Sequence, residues 1–269
     1  MILSHEFNNK MRINKGFYFN NIFGKLGEVK KRVFILIFLV AGVVLYSCKK
    51  KKEPEKPDLG EAYYPSTIGK YIVYDVDSII YDEFTYDSTR YRYLIKEKIE
   101  EQFTDIQGKQ ALKLARYIKK FNAAVSYTAM PWVIKDVWQI NITGKDVEVV
   151  EENTRFVKMT FPVKEGSTWD GNSTNTMGEW DYKYLYVDKQ ETVNSLNFPK
   201  TMLVEEKNFP THISQAYYAE KYAKDLGLVY REIIDLDFDT VVPISYPLDN
   251  IREKKGVVYK SIILSYGYE

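Results

Sequence analysis

Lys70-Tyr71-Ile72-Val73-Tyr74-Asp75-Val76-Asp77 is the stretch on which the fold turns. Tyr71, Val73 and Asp75 fall on one face, and Ile72, Tyr74 and Val76 on the other. Period-two alternation of β-branched and aromatic residues is the signature of a half-buried strand. Working outward, Val147–Val150, Arg155–Phe161, Lys200–Val204, Leu228–Phe238 and Val257–Tyr268 read the same way. So does Trp132–Thr143, which stops at Gly144-Lys145. Arg90–Phe103 fits a strand or a helix by spacing. Its Tyr-rich flank and the Asp105–Lys109 turn favour a long hairpin with Gln110–Lys120.

Gly108, Gly144, Gly166, Asp170-Gly171-Asn172 and Gly256 punctuate these runs as turns. Turn signals about every ten residues suggest a meander that curls or closes. One segment reads differently. Ile213, Ala216, Tyr217, Ala223 and Leu226 recur at helical spacing, with Thr211 or Ser214 as N-cap and Gly227 at C′. The expected fold is therefore mainly β, a single curved antiparallel sheet or partly open barrel over residues 63–269. One α-helix near 212–226 is expected to pack on it. No internal repeat is evident.

Upstream of the strands lies a targeting pattern. Lys30-Lys31-Arg32 precede the uncharged run Val33–Leu45, and Tyr46-Ser47-Cys48 follow. A basic n-region, an apolar run of about 7–15 residues and a small residue before the cut define a secretory signal. Leu45 and Ser47 place Cys48 as a lipidation site; Tyr46 departs from the smaller residue usual there. The apolar run is short of the roughly 20 residues needed to span hydrocarbon. Residues 1–47 are thus expected to be a signal peptide. That length is unusual for one, which puts the expected true start nearer Leu26 or Val29. Residues 48–62 then form a lipidated cysteine and a charged, Pro-containing tether with too little apolar surface to order itself. The expected membrane contact is through acyl chains on Cys48, each buried CH₂ contributing about 0.8 kcal/mol.

The formal charge of +1 conceals an asymmetry. After Cys48 there remain 31 Lys/Arg against 35 Asp/Glu, or about −4. A mildly acidic body carries no electrostatic footprint for nucleic acid. Cys48 is the only cysteine, so no disulfide is available once it is acylated.

Candidate chemistry is sparse. His212 is the only histidine after Cys48, and a lone histidine beside Thr211 reads as capping rather than a catalytic base. One histidine and no free thiol do not make a zinc site. Asp235, Asp237 and Asp239 share a strand face and read as a solvated edge rather than a calcium loop. A glycosidase needs only two positioned carboxylates, and the sequence singles out no pair. No catalytic, metal-binding or cofactor residue is assigned. The compositional anomaly is aromatic: 23 tyrosines, and Trp132, Trp138, Trp169 and Trp180 all in the body. Sheet packing is the expected use, with a stacking platform for sugars or a groove for acyl chains as the functional alternative.

Three stretches, YYPSTIGKYIVYDVDSIIYD (63–82), NTRFVKMTFPVKEGSTWDGN (153–172) and EKYAKDLGLVYRE (220–232), resemble a family of Bacteroidota envelope lipoproteins. In that setting Tyr46 is a tolerated variation. The resemblance implies export and an outer-membrane location, on a face it does not specify, and it implies no activity. The triplets Asp77-Ser78-Ile79, Asp87-Ser88-Thr89 and Asp239-Thr240-Val241 resemble O-glycosylation acceptors of exported Bacteroidota proteins. The strand pattern is also similar, at the level of fold, to lipoprotein-carrier half-barrels. The expected function is a lipid-anchored binding or structural protein of the cell envelope, its partner an apolar ligand, a glycan or an envelope protein. The alternative is a carboxylate-based glycan hydrolase.

Overall fold

The computed structural model describes Gly27 and residues 32–37, 56–64, 66–121 and 125–269. The chain divides into two units, Met1–Pro57 and Asp58–Glu269. In the first, residues 32–37 form a short α-helix with exposed side chains. No helix among the described residues is long and apolar enough to cross a membrane. Cys48 lies outside the described residues.

The second unit is built from strands. Its first half holds β1 (Lys70–Tyr81), β2 (Ser88–Thr104), β3 (Gln110–Lys120), β4 (Val133–Ile142), β5 (Asp146–Glu151) and β6 (Thr154–Thr160). Its second half holds β7 (Thr168–Asp170), β8 (Asp181–Val193), β9 (Leu196–Pro210), β10 (Ser214–Ala223), β11 (Gly227–Phe238) and β12 (Lys254–Tyr268). They form one sheet in the order β6-β5-β4-β3-β2-β1-β12-β11-β10-β9-β8-β7. Every neighbouring pair is antiparallel. Each half is a meander, and the β1–β12 pair joins them, with Lys70 opposite Tyr268.

The sheet curls until its two edges nearly meet. At the seam the Val157 amide donates to the Gly171 carbonyl at 2.9 Å. The Trp169 indole donates to the Val157 carbonyl at 2.8 Å, and the Tyr184 hydroxyl donates to the Thr160 carbonyl at 2.9 Å. These bonds replace a ladder and leave one seam in an almost closed barrel. Gly171 makes the approach possible, since a Cβ there would lie 2.3 Å from the Tyr182 ring. Period two puts Ile72, Tyr74 and Val76 of β1 inside, against Ile95, Val229 and Ile263. A second cluster around Trp138, Met159, Tyr182, Tyr184, Met202, Val204 and Tyr222 fills the region behind the seam.

The helix expected near 212–226 is not there. Ser214–Ala223 is strand β10, paired with both β9 and β11. Ile213, Ala216, Tyr217, Ala223 and Leu226 mimic helical spacing, but propensity is a weak prior that tertiary pairing overrides. Glu220 and Tyr222 show the true period: the Tyr222 hydroxyl donates to Glu220 at 2.5 Å, two residues away on one strand face. Gly227 caps nothing; at φ 111 it is the first residue of β11.

Asp58–Tyr64, most of which reads as the end of a tether, packs across one end of the barrel. The Val163 amide donates to Leu59 at 2.9 Å and the Asp225 amide to Ala62 at 2.7 Å. The Tyr63 hydroxyl donates to Asp188 at 2.7 Å, and Asp58 pairs with Lys224. Tyr64 then packs on Tyr222, ring centroids 6.0 Å apart.

Candidate functional site: the barrel interior

Inward positions on eight strands carry charge. Glu97 is on β2, Arg116 on β3, Asp136 on β4, Glu151 on β5, Lys158 on β6, Glu206 on β9, Glu220 on β10 and Arg231 on β11. The Lys158 ammonium contacts Glu206 at 2.8 Å, Glu220 at 3.1 Å and Glu151 at 3.3 Å. The Arg231 guanidinium contacts Glu220 at 2.5 Å and Glu151 at 3.2 Å. Arg116 contacts Glu97 at 2.9 Å and Asp136 at 3.1 Å, and its guanidinium stacks 3.7 Å from the centroid of the Trp138 ring. This layer ties the β5–β6 edge to β9, β10 and β11 through the interior.

Burial separates two neighbouring carboxyls. Burial and the charge of Glu220 push Glu206 up to about 7, against the pull of Lys158. Burial also raises Glu220, but Arg231 and Lys158 outweigh it and hold that group down at about 2. Lys158 and Arg231 are held well above their ordinary values because nearby glutamates outweigh their own burial. A carboxyl pair driven apart in this way matches the division between an acid and a base. Here both are sealed, Glu206 at 6% and Glu220 at 1% exposure, and each is engaged by a cation. The geometry therefore uses them to hold strands together.

Beside this layer lies a cavity of about 60 Å³. Ile72, Ile99, Leu114, Ile140, Leu226 and Leu228 supply apolar wall, and Tyr64 and Tyr222 belong to it too. Lys70, Glu97, Glu151, Lys158 and Arg231 give it a charged side. Trp138 also lines it. Two buried polar groups have no hydrogen-bond partner among the described residues, the Trp138 indole N–H and the Arg231 Nε–H. Both residues stand in the wall of this one cavity. Buried donors without acceptors cost roughly 1–3 kcal/mol each, so their coincidence at one cavity is informative.

Of the residues singled out from sequence, Trp138 lines this cavity, and those weighed for catalysis or metal binding fall elsewhere. His212 sits in the β9–β10 turn, its Nδ1 2.8 Å from the Val242 carbonyl. Asp235 accepts from the Tyr218 hydroxyl at 2.8 Å, and Asp239 from Tyr86 and Lys255. No group of three or more His, Cys, Asp or Glu side chains among the described residues is arranged to hold a metal. Asp170-Gly171-Asn172 is a turn, with Asp170 accepting from the Asn172 amide at 2.9 Å and the Trp180 amide at 3.1 Å. Of the three acceptor-like triplets, Ser78 is buried in β1, whereas Ser88 and Thr240 are exposed. The tyrosines divide: Tyr63, Tyr74, Tyr182, Tyr184 and Tyr222 are buried, whereas Tyr91, Tyr246, Tyr266 and Tyr268 are exposed.

No family model matches this chain, and no curated protein matches it. Three solved structures are similar. A candidate lipoprotein from Parabacteroides distasonis ATCC 8503 is 9% identical, with a TM-score of 0.39 over 79% of this chain and 100% of that one. A candidate exported protein with a YmcC-like fold from Bacteroides fragilis NCTC 9343 is 11% identical, with a TM-score of 0.35 over 76% of this chain and 98% of that one. A candidate outer membrane lipoprotein-sorting protein domain from Vibrio parahaemolyticus is 10% identical, with a TM-score of 0.20 over 78% and 89%.

Proposed function

We propose that this chain is a lipid-anchored protein of the bacterial outer membrane that binds an apolar ligand inside its barrel. The observation that carries the binding role is the interior cavity, with apolar walls from several strands beside a charged side. The Lys30–Cys48 pattern supports the anchoring. The hydrolase alternative needs an open cleft with two free carboxyls. The carboxyls that the fold brings together are sealed and cation-bound.

Two measurements test this reading. Metabolic labelling with an alkyne fatty acid is expected to mark the wild-type chain and to fail on Cys48→Ser, which leaves the membrane fraction. Xenon, an apolar probe of small protein cavities, is expected to give a saturable ¹²⁹Xe shift with the full-length chain. Retention of Cys48→Ser in membranes overturns the anchor, and a linear, unsaturated xenon response overturns the interior site.

A further inference from the structure

Resting on the interior site just proposed, we infer that the cavity takes a neutral carbonyl group, as in an ester, amide or ketone, with Trp138 and Arg231 as its donors. Three features select this chemistry. Apolar walls favour an apolar body. The two unpartnered groups, the Trp138 indole N–H and the Arg231 Nε–H, are both donors, so the missing partner is an acceptor. Trp138 is only 5% exposed, so bulk water does not serve it.

The partners these cations already hold then argue against an anionic acceptor. Lys158 and the Arg231 Nη2 are already engaged by Glu151 and Glu220, and Lys158 also by Glu206. Around them stand Glu97 and Asp136, which engage Arg116. The charged lining is Lys70, Glu97, Glu151, Lys158 and Arg231; Lys158 and Arg231 are matched by glutamates and the Lys70 ammonium donates to the Asp225 carbonyl, so an incoming carboxylate or phosphate would have to displace an existing partner to gain a cation. A cationic ligand fits no better, because it would bring further donors to a place where donors are in excess. A carbonyl oxygen has two lone pairs and no charge, and it serves both N–H groups at the lowest desolvation cost.

The size is consistent with this. At about 60 Å³ the cavity is smaller than the roughly 150 Å³ that accommodates benzene, so it holds a head group of a few heavy atoms. Tyr64, which lines the cavity, belongs to the strap Asp58–Tyr64.

Four Y-shaped compounds with four heavy atoms each make the test: acetone, acetamide, acetate and isobutene. Each is titrated into the full-length chain in nanodiscs, labelled with ¹⁵N-tryptophan, and the indole N–H signals are followed. Trp138→Phe identifies the Trp138 signal; if that variant fails to fold, spectra of Trp132→Phe, Trp169→Phe and Trp180→Phe assign it by elimination. Acetone and acetamide are expected to shift the Trp138 signal saturably, about tenfold more tightly than isobutene, the equivalent of one net hydrogen bond. Acetate is expected to leave it unmoved.

Equal affinity for isobutene and acetone overturns the carbonyl assignment while leaving an apolar interior site. Preference for acetate overturns it in favour of an anion. A Trp138 signal with a nuclear Overhauser contact to long-lived water, unmoved by every compound, shows ordered water in the ligand's place. If xenon also fails, the interior site itself falls with it.

Discussion

Replacing Lys158 by Met deletes the one cation among the described residues that touches Glu151, Glu206 and Glu220 together. Met keeps most of the volume, so the experiment isolates charge. All four groups are nearly sealed, with side-chain exposures of 6%, 17%, 8% and 1%. Breaking a buried ion pair from one side typically costs about 3–5 kcal/mol, because a desolvated charge is left uncompensated. Glu206 can relieve part of this by holding a proton, since it already sits at about 7. The loss is therefore expected near 3 kcal/mol at pH 5 and near 5 kcal/mol at pH 8. With a urea m-value of about 2–3 kcal/mol/M, the unfolding midpoint should fall by roughly 1–1.5 M at pH 5 and 2 M at pH 8. Tryptophan fluorescence follows the transition, because Trp138 and Trp169 lie in or beside this core. Adding Glu206→Leu to Lys158→Met should recover most of the loss, as apolar replacement of buried ion pairs is often neutral. A loss below about 1 kcal/mol at both pH values would show the layer to be solvated, like a surface ion pair, and would refute the account of the interior.

Other outcomes follow from the same structure. Glu206 has a folded pKa of about 7, above its ordinary 4.5, so the folded state holds a proton that the unfolded state releases between those values. Its contribution is fully present below about pH 4.5 and is lost as pH rises through 7; Glu206→Gln should flatten that decline and be more stable than the parent at pH 8 by roughly 2–3 kcal/mol. Glu220 runs the other way, its contribution lost as pH falls from 4.5 through about 2, so calorimetry should find maximal stability in mildly acidic solution. Gly256→Ala would place a Cβ 2.1 Å from the Asp235 carbonyl at φ 119, and a loss of about 2–3 kcal/mol should lower Tm by roughly 5–10 °C. Asp58→Ala together with Tyr63→Phe removes the strap's ion pair with Lys224 and its bond to Asp188, and faster amide exchange should be confined to residues 58–64 and their neighbours.

The sequence exposes the sheet more readily than the interior. Period-two runs in β1, β4, β5, β6, β11 and β12 are legible because one face of each strand is buried and the other wet. β10 is misread because Ala216, Tyr217 and Ala223 fall at helical spacing and the two alanines are small enough to fit either period, and its central position between β9 and β11 decides the matter through pairing that no local window contains. β8 lacks a clean alternation for a similar reason: its register with β9 shifts three times, at 184/186, 186/189 and 189/191. The strap is hidden by composition. Asp58, Gly60 and Glu61 look solvated, yet Gly60 at φ 82 turns the chain where a Cβ would lie 2.6 Å from that of Val163. The charged layer left a signal that local reading passes over. Lys158 in FVKMTF, Glu220 in AYYAEKYA and Arg231 in LVYREII each interrupt an apolar strand. A single such residue suggests an edge or a snorkelling side chain; only the topology shows that the three converge.

That convergence also bears on why the layer exists. Apolar side chains at these positions would fold the barrel as well or better, since buried ion pairs seldom outdo a packed core. What an apolar core would not supply is a rigid polar wall beside an apolar space. Glu151 and Glu220 hold the Arg231 guanidinium on its Nη2 side and leave its Nε–H unpartnered. Arg116, anchored by Glu97 and Asp136, stacks on the Trp138 ring, whose N–H is the second donor without an acceptor. Each unpartnered donor is thus held by a charged group whose own partners are fixed. A site built to recognise one acceptor needs donors that do not relax toward each other or toward solvent. The same network that makes Lys158→Met costly would, on this reasoning, keep the two N–H groups in place for the ligand. Lys158→Met with Glu206→Leu should therefore fold well and yet bind acetone more weakly than the parent, separating the stability of the barrel from the preorganisation of its interior.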